Sequence, residues 1–349
     1  MKIVVDDKIP YILPALNLLA DEVVAKAGSE ITAPDVRDAD ILVVRTRTRC
    51  DQKLLENSHV RLIVTATIGY DHLDTAYLDA QGIQWTNCPG CNATSVSQYV
   101  RNSLYLLQRE RGLHLADCTL GIIGVGHVGS AVWAKTRPDE NVNTSGRILL
   151  CDPLREHFPL EKISHTDWCP IERIQEEADI ITFHTPLTTD GPAPTYHMAD
   201  ERFFHQLKRR PVIINAARGG VIDEGALLNA MDEGLVSDVI IDTWEQEPRI
   251  NPELLRRAYI ATPHIAGYSA DGKANATRMT LATICQFLGR PMDFDIQPPS
   301  LPETIVWAGD PIERALQLYD PRTDSKQLKA NPDRFEWLRG HYPLRRESI

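Results

Sequence analysis

The stretch T-L-G-I-I-G-V-G-H-V-G, residues 119–129, decides how this chain folds. An apolar run over 120–123 leads into Gly124, Gly126 and Gly129, and a helix-like stretch follows. In that strand-to-helix context the glycines permit a tight turn and let the backbone approach a pyrophosphate, which then meets a helix N-terminus. The next strand closes on Asp152, an acid able to accept hydrogen bonds from a ribose 2′-hydroxyl and to repel a 2′-phosphate. NAD is therefore the expected cofactor, in preference to NADP. The interval from Gly129 to Asp152 is long, and Pro138 with the polar run 141–146 implies a surface loop inserted there.

Outward from this motif, short apolar runs alternate with amphipathic stretches. Runs at 3–5, 41–44 and 62–64 precede it, and runs at 148–150, 180–183, 212–214 and 239–241 follow it. The rhythm predicts βαβ units around parallel sheets. Val96, Val100, Leu104 and Leu107 recur at helical spacing and predict a helix over 95–111, with Thr94 and Ser95 as capping residues. A second helix is expected over 269–288. Pro298, Pro299 and Pro302 then read as a linker, and the polar, Arg-rich last fifty or so residues should pack on another domain or subunit.

Composition narrows the function. The 349 residues carry 37 Lys and Arg against 48 Asp and Glu, a net charge of −11 that repels a polyanion, so nucleic acid is not an expected partner. No window approaches the roughly 18 uninterrupted apolar residues of a membrane span, and membrane is not expected either. The start, M-K-I-V-V-D-D, reads as a strand, and the 7 cysteines, an odd number, suit a reducing compartment. A cytoplasmic protein is expected.

Three further stretches each place polar residues just after an apolar strand: I-I-N-A-A-R-G-G-V-I-D-E-G-A-L over 213–227, I-D-T-W-E-Q-E-P over 241–248, and T-P-H-I-A-G-Y over 262–268. Carboxyl ends of strands are where open parallel sheets bind ligands, so Arg218, Asp242, Glu247 and His264 are expected to converge. Oxidation of a secondary alcohol needs a base for the hydroxyl proton, a cation for a neighbouring carboxylate, and a bound hydride acceptor. His264, Arg218 and NAD supply these. A carboxylate beside the histidine, Glu247, would stabilise the imidazolium.

With these motifs in place the chain resembles the D-isomer-specific 2-hydroxyacid dehydrogenases over nearly all of residues 1–290. N-A-A-R-G-G, D-T-W-E-Q-E-P and T-P-H-I-A-G carry the likeness. V-D-D-K-I-P near the start, T-A-T-I-G-Y-D-H from Thr65, P-G-C-N-A from Pro89, T-F-H-T-P-L from Thr182 and Y-P-L-R-R-E near the end narrow it to a member acting on a small phosphorylated 2-hydroxy acid. The resemblance implies an α/β protein with two Rossmann/flavodoxin-like parallel-sheet domains around a cleft. Residues 1–93 and 268–289 would form the substrate-binding domain, 94–267 the NAD-binding domain, and 290–349 a short C-terminal dimerisation region giving a homodimer. It implies Arg218, Glu247 and His264 as the catalytic set, with His264 as acid/base. Besides the three glycines of the turn, Asp152, Thr185, Ala216, Arg218, Asp242 and Gly267 would meet the cofactor, and Thr46, Thr67 and Tyr268 the substrate.

The substrate phosphate calls for arginines. Arg45, Arg47 and Arg49 recur at period two and would share a face if extended, and Arg345 or Arg346 is expected to reach the same site from the tail. Cys88 and Cys91 form C-P-G-C, but no second pair completes a metal site and none is expected; Cys91 would be reactive only if it sat at a helix N-terminus. A related enzyme such as phosphoglycerate dehydrogenase, or an NAD-sensing protein that kept the fold, stays open as an alternative.

Overall fold

The computed structural model describes residues 1–137, 146–155 and 166–348. Pro138 and residues 141–145 of the expected insertion lie outside them. Two compact units emerge: Met1–Asn92 with Ser269–Ser300, and Ala93–Tyr268 with Leu301–Ile349.

The first unit is built on five parallel strands, β1 (Lys2–Asp6), β2 (Glu22–Lys26), β3 (Ile41–Val44), β4 (Leu62–Thr65) and β5 (Gln84–Thr86), in the order β2-β1-β3-β4-β5. Every residue of β3 and β4 is buried, as expected for strands covered on both faces. Alternate side chains feed opposite layers: Ile3, Val5, Ile41 and Val43 pack with Leu16, Leu281 and Ile284, whereas Val4, Leu42 and Val44 pack with Leu54 and Leu78. Leu281 and Ile284 belong to the helix Ala270–Phe287, capped by the Ser269 hydroxyl, which returns the chain to this sheet.

Among the described residues the second unit holds seven parallel strands: β6 (Thr119–Ile123), β7 (Arg147–Cys151), β8 (Thr166–Trp168), β9 (Ile180–Phe183), β10 (Val212–Asn215), β11 (Asp238–Ile241) and β12 (Ile260–Ala261). Their order, β12-β11-β10-β9-β6-β7-β8, puts the reversal of winding between β6 and β9, the place where doubly wound sheets bind ligands. The helix Ala93–Arg111 lays Val100, Leu104 and Leu107 on one face of the sheet. It starts at Ala93, so Thr94 and Ser95 lie inside its first turn and do not cap it; Ser95 is buried and has another use, described below.

Residues 301–348 pack on this second unit through three helices, Pro311–Leu318, Pro321–Ala330 and Phe335–Gly340. Leu316 and Tyr319 join the layer of the helix Ala93–Arg111, while Leu328 and Phe335 join the opposite layer beside Trp244 and Ala261. Ser325 Oγ accepts the Ala261 N–H at 3.0 Å, which satisfies a donor of the edge strand β12. Among the described residues no helix is long and apolar enough to cross a membrane.

Candidate active site

The turn after β6 is shaped by close backbone approach. Gly124 has φ +87°, and a Cβ there would lie 2.7 Å from the His184 carbonyl carbon at the end of β9. At Gly129 a Cβ would come within 2.0 Å of the Gly124 carbonyl oxygen, so the helix His127–Thr136 can start against the turn only with glycine there. At Gly126 nothing lies within 4 Å of a Cβ, and no side chain caps the helix that begins there. Its first N–H groups therefore face an open cradle that suits a pyrophosphate. Asp152 follows β7, and its Oδ2 accepts the Val125 N–H at 2.8 Å, tying this acid to the glycine turn. Thr185 comes next after His184, whose burial pushes its imidazole down to about 3 and keeps the ring neutral.

The residues expected to act as acid and base leave the same sheet on the other side of the winding reversal. After β10, Asn215 ties the turn at both ends: its Oδ1 accepts from Ala217 N–H at 3.1 Å and its Nδ2 donates to the Arg218 carbonyl at 3.0 Å. Ala216 is buried inside this turn. A Cβ at Gly219 would lie 1.8 Å from the Trp244 carbonyl oxygen, so glycine there lets the Arg218 turn abut the loop that carries Glu247.

His264 has φ +57°, a left-handed backbone held by its N–H to the Asp242 carbonyl at 2.8 Å. Its Nδ1 lies 2.8 Å and 3.0 Å from the two Glu247 oxygens. The carboxylate assigns the hydrogen to Nδ1 and leaves the Nε2 lone pair as the basic atom. Burial alone would raise the Glu247 pKa, yet the His264 ring, the Trp244 N–H and Arg339 outweigh it and hold the carboxyl below its ordinary value. Glu247 therefore stays an anion behind the imidazole.

The loop after His264 is gripped on both sides of its backbone. Asp242, only 1 % exposed, accepts the Ile265 and Ala266 N–H groups at 2.8 Å and 3.0 Å, and the Thr262 hydroxyl at 2.7 Å. Burial raises the Asp242 pKa, and His264 and these donors pull against it. Arg345 takes the carbonyls: Nη1 donates to Ile265 at 3.0 Å and Tyr268 at 2.7 Å, and Nη2 donates to Ala266 at 2.6 Å. The rest of the guanidinium is held by the Ser95 carbonyl and by Gln98 Oε1 and lies 3.9 Å over the Tyr319 ring. Gly267 sits inside the gripped segment.

Several expectations are corrected here. Arg345, expected at the substrate phosphate, is 8 % exposed, and its donors are committed inward, where they brace the loop. Arg346 is half-buried beside it, and its carbonyl accepts from Gln98 Nε2 at 2.9 Å. Arg45, Arg47 and Arg49 do not share an extended face, because residues 46 and 47 form a turn closed by the Thr48 N–H on the Arg45 carbonyl. Arg45 is instead held by the fully buried Asp6 through two bonds of 3.1 Å, and Arg49 pairs with Asp51. In that unit Thr46 is exposed on the turn after β3, and Thr67 follows β4 with its hydroxyl 2.7 Å from that of Thr65. Cys91 is buried and its thiol is pushed up to about 12, so proximity to the helix starting at Ala93 does not activate it.

The family model for the D-isomer-specific 2-hydroxyacid dehydrogenase NAD-binding domain matches residues 92–266, from the start of the helix Ala93–Arg111 to the Asp242-held loop. The chain belongs to the D-isomer-specific 2-hydroxyacid dehydrogenase family. It is 50 % identical to the erythronate-4-phosphate dehydrogenase of Bacteroides thetaiotaomicron, over 100 % of this chain and 97 % of that one. The Porphyromonas gingivalis enzyme of the same name is 41 % identical over 99 % of this chain and 94 % of its own length. The fold is shared with solved D-2-hydroxyisocaproate dehydrogenase (TM-score 0.67, 20 % identity, 82 % of this chain and 97 % of that one). It is shared as well with Aquifex aeolicus D-lactate dehydrogenase, solved with NAD and lactic acid (TM-score 0.60, 22 % identity, 83 % and 96 %). Of the residues that shape this family site, sequence reasoning missed Arg339, whose Nη1 lies 3.6 Å from Glu247 Oε2. No motif marks it, since its partner is 92 residues away in the chain.

Proposed function

We propose that this chain catalyses the NAD-linked oxidation of 4-phospho-D-erythronate to (R)-3-hydroxy-2-oxo-4-phosphooxybutanoate, a step towards pyridoxal 5′-phosphate. The observation that carries the chemistry is the Glu247–His264 pair, with Nδ1 bound by the carboxylate and Nε2 left basic. Relatives of matching length bearing the name erythronate-4-phosphate dehydrogenase support the substrate.

The second unit is the NAD-binding part, and we assign substrate binding to the first. The cradle at Gly124, Gly126 and Gly129 fits the pyrophosphate of NAD, and Asp152, tied to that turn, is assigned to its ribose; Thr185, Ala216, Arg218, Asp242 and Gly267 are assigned to the rest of the cofactor path, Asp242 by holding the loop that carries Gly267. When bound, NAD accepts the hydride that leaves the substrate carbinol carbon. His264 Nε2 takes the hydroxyl proton as the carbonyl forms, and Glu247 stabilises the resulting imidazolium. Arg218 holds the neighbouring carboxylate by charge-assisted hydrogen bonds. Thr46, Thr67 and Tyr268 are assigned to substrate hydroxyl contacts, and the tail pair Arg345 and Arg346 to the phosphate side of the site.

A homodimer through residues 290–349 belongs to this reading. Val306 (87 % exposed), Trp337 (48 %) and Leu344 (37 %) are exposed apolar side chains of that region. The seven free thiols suit a cytoplasmic protein. The deciding experiment is an assay of purified protein with NAD against 4-phosphoerythronate, 3-phosphoglycerate, D-lactate and D-glycerate, with sedimentation for the dimer. Strong preference for 4-phosphoerythronate is expected. Preference for 3-phosphoglycerate would transfer the chain to that activity, and no turnover of any 2-hydroxy acid would favour an NAD-sensing role.

A further inference from the structure

We propose that Arg339, brought by the C-terminal helix Phe335–Gly340, is a positioning residue of the acid–base pair: its guanidinium offsets part of the charge that Glu247 presents to His264 and steadies the Tyr268 hydroxyl. The inference rests on His264 acting as the base of the proposed dehydrogenase. It adds a part that lies 73 residues beyond the end of the family's matched domain.

The geometry is specific. Glu247 Oε1 accepts the Trp244 N–H at 3.0 Å, while Oε2 serves two cationic or potentially cationic groups at once: His264 Nδ1 at 2.8 Å and Arg339 Nη1 at 3.6 Å. Arg339 Nε also donates to the Tyr268 hydroxyl at 3.3 Å. The Arg339 and Glu247 side chains are 25 % and 18 % exposed, so the pair is not a fully solvated surface contact whose attraction water would cancel. Tyr268 in turn belongs to the loop whose carbonyl Arg345 holds, so the two tail arginines bear on the same short segment from different sides.

The charges around the pair come from four elements. Around Glu247, which follows β11, stand His264 from the loop after β12, Arg339 from the C-terminal helix and Glu224 from the helix Glu224–Asp232; His264 also faces Asp242, which follows β11 directly. Arg339 is the cation of this set that stays charged at every working pH. When His264 takes the substrate proton, the imidazolium and the guanidinium share the charge of one carboxylate, His264 Nδ1 meeting both of its oxygens and Arg339 lying on the Oε2 side. The guanidinium therefore favours the uncharged ring, the form needed before oxidation begins, and limits how tightly the proton is kept afterwards.

The test compares Arg339→Gln and Arg339→Lys in the full-length protein, with Arg339→Met, which keeps an aliphatic stem, standing in for Gln if that variant unfolds. Two profiles are measured against pH: kcat/KM for 4-phosphoerythronate, and the rate of carbethoxylation of His264 by diethyl pyrocarbonate, followed by peptide mass spectrometry and requiring no turnover. Loss of the cation should move the midpoint of both profiles up by about half a unit to one unit, from charge interaction over several ångströms in a half-screened medium. On the acid side kcat/KM should fall by about 3- to 10-fold, while NAD affinity stays put and Lys restores most of the profile. An unmoved midpoint in Arg339→Gln, or equal shifts in Gln and Lys, would overturn the role. Failure of the unmodified protein to oxidise 4-phosphoerythronate would sink the proposed function alone, because the carbethoxylation profile still decides this one.

Discussion

The glycine turn after β6 and the His264 loop after β12 leave the carboxyl end of the same sheet, yet they are held in opposite ways. The turn is held by missing side chains: Gly124 and Gly129 let backbone meet backbone, and residues that touch are close in the chain or on the adjacent strand. The His264 loop is held by two buried charges from far away, Asp242 on its N–H groups and Arg345 on its carbonyls. A cofactor cradle needs room and unclaimed N–H donors, which small residues provide. An acid–base residue needs a fixed direction, and a left-handed histidine keeps one only if its neighbours are pinned.

If that division is right, damage to each half should be separable. His264→Ala should lower kcat by about 10² to 10⁴, the usual range for general acid–base catalysis, and leave NAD affinity near its starting value. A parallel loss of NAD binding, read by fluorescence titration, would break the division.

Arg345→Lys should come next. One ammonium cannot reach the carbonyls of Ile265, Ala266 and Tyr268 and also satisfy Ser95 and Gln98, and each buried polar group left unmet costs about 1–3 kcal/mol. A lower Tm is expected, with kcat reduced about tenfold or more and NAD affinity little changed. An equal fall in NAD affinity would show that the brace serves both halves.

Gly129→Ala tests the other side. The added methyl meets the Gly124 carbonyl oxygen at 2.0 Å, so the turn must open, at about 1–3 kcal/mol for overpacking. NAD affinity should drop by about tenfold, the equivalent of 1.4 kcal/mol, while the pH profile of turnover keeps its shape. A displaced acid limb would mean that the two loops are coupled.

The smallest effect is expected at Asp324, which sits behind the brace and accepts the Tyr319 and Tyr342 hydroxyls at 3.1 Å and 3.0 Å. Burial raises its pKa to about 6, against the pull of Arg345 and the two tyrosines. The folded state thus holds this proton more tightly than the unfolded chain does. Stability contributed through it is present below the ordinary carboxyl range and is lost as pH rises through about 6. Asp324→Asn cannot titrate, so the difference in Tm between pH 5 and pH 7 should shrink; an unchanged difference would remove Asp324 from the pH response.

The strands that are readable in the sequence are those covered on both faces. I-L-V-V of β3 and L-I-V-T of β4 are continuous apolar runs because helices lie on either side. The edge strands are not readable: E-V-V-A-K of β2 and Q-W-T of β5 have half-exposed positions, and I-A of β12 is too short to stand out. The tail helices did carry a local signal that polarity concealed. Asp310-Pro311 and Asp320-Pro321 each pair a capping acid with proline in the first turn, and both side chains accept backbone N–H groups. In the site, the glycine turn and the residues at strand ends are marked by type and spacing, whereas the work of Arg345 and Arg339 has no spacing to read.

The sequence by itself therefore determined the parallel α/β class, the glycine turn with the acid that follows it, and the position of Arg218, Glu247 and His264 just after three strands of one sheet. Those features follow from periodicity and from short-range backbone demands, which are written in neighbouring residues. Only the tertiary structure decided which nitrogen of His264 is basic, that Asp6 holds Arg45, and that Arg345 turns inward to the carbonyls beside His264. The physical reason is that a charged side chain settles where its desolvation is best offset, and that place is set by partners dozens to hundreds of residues away.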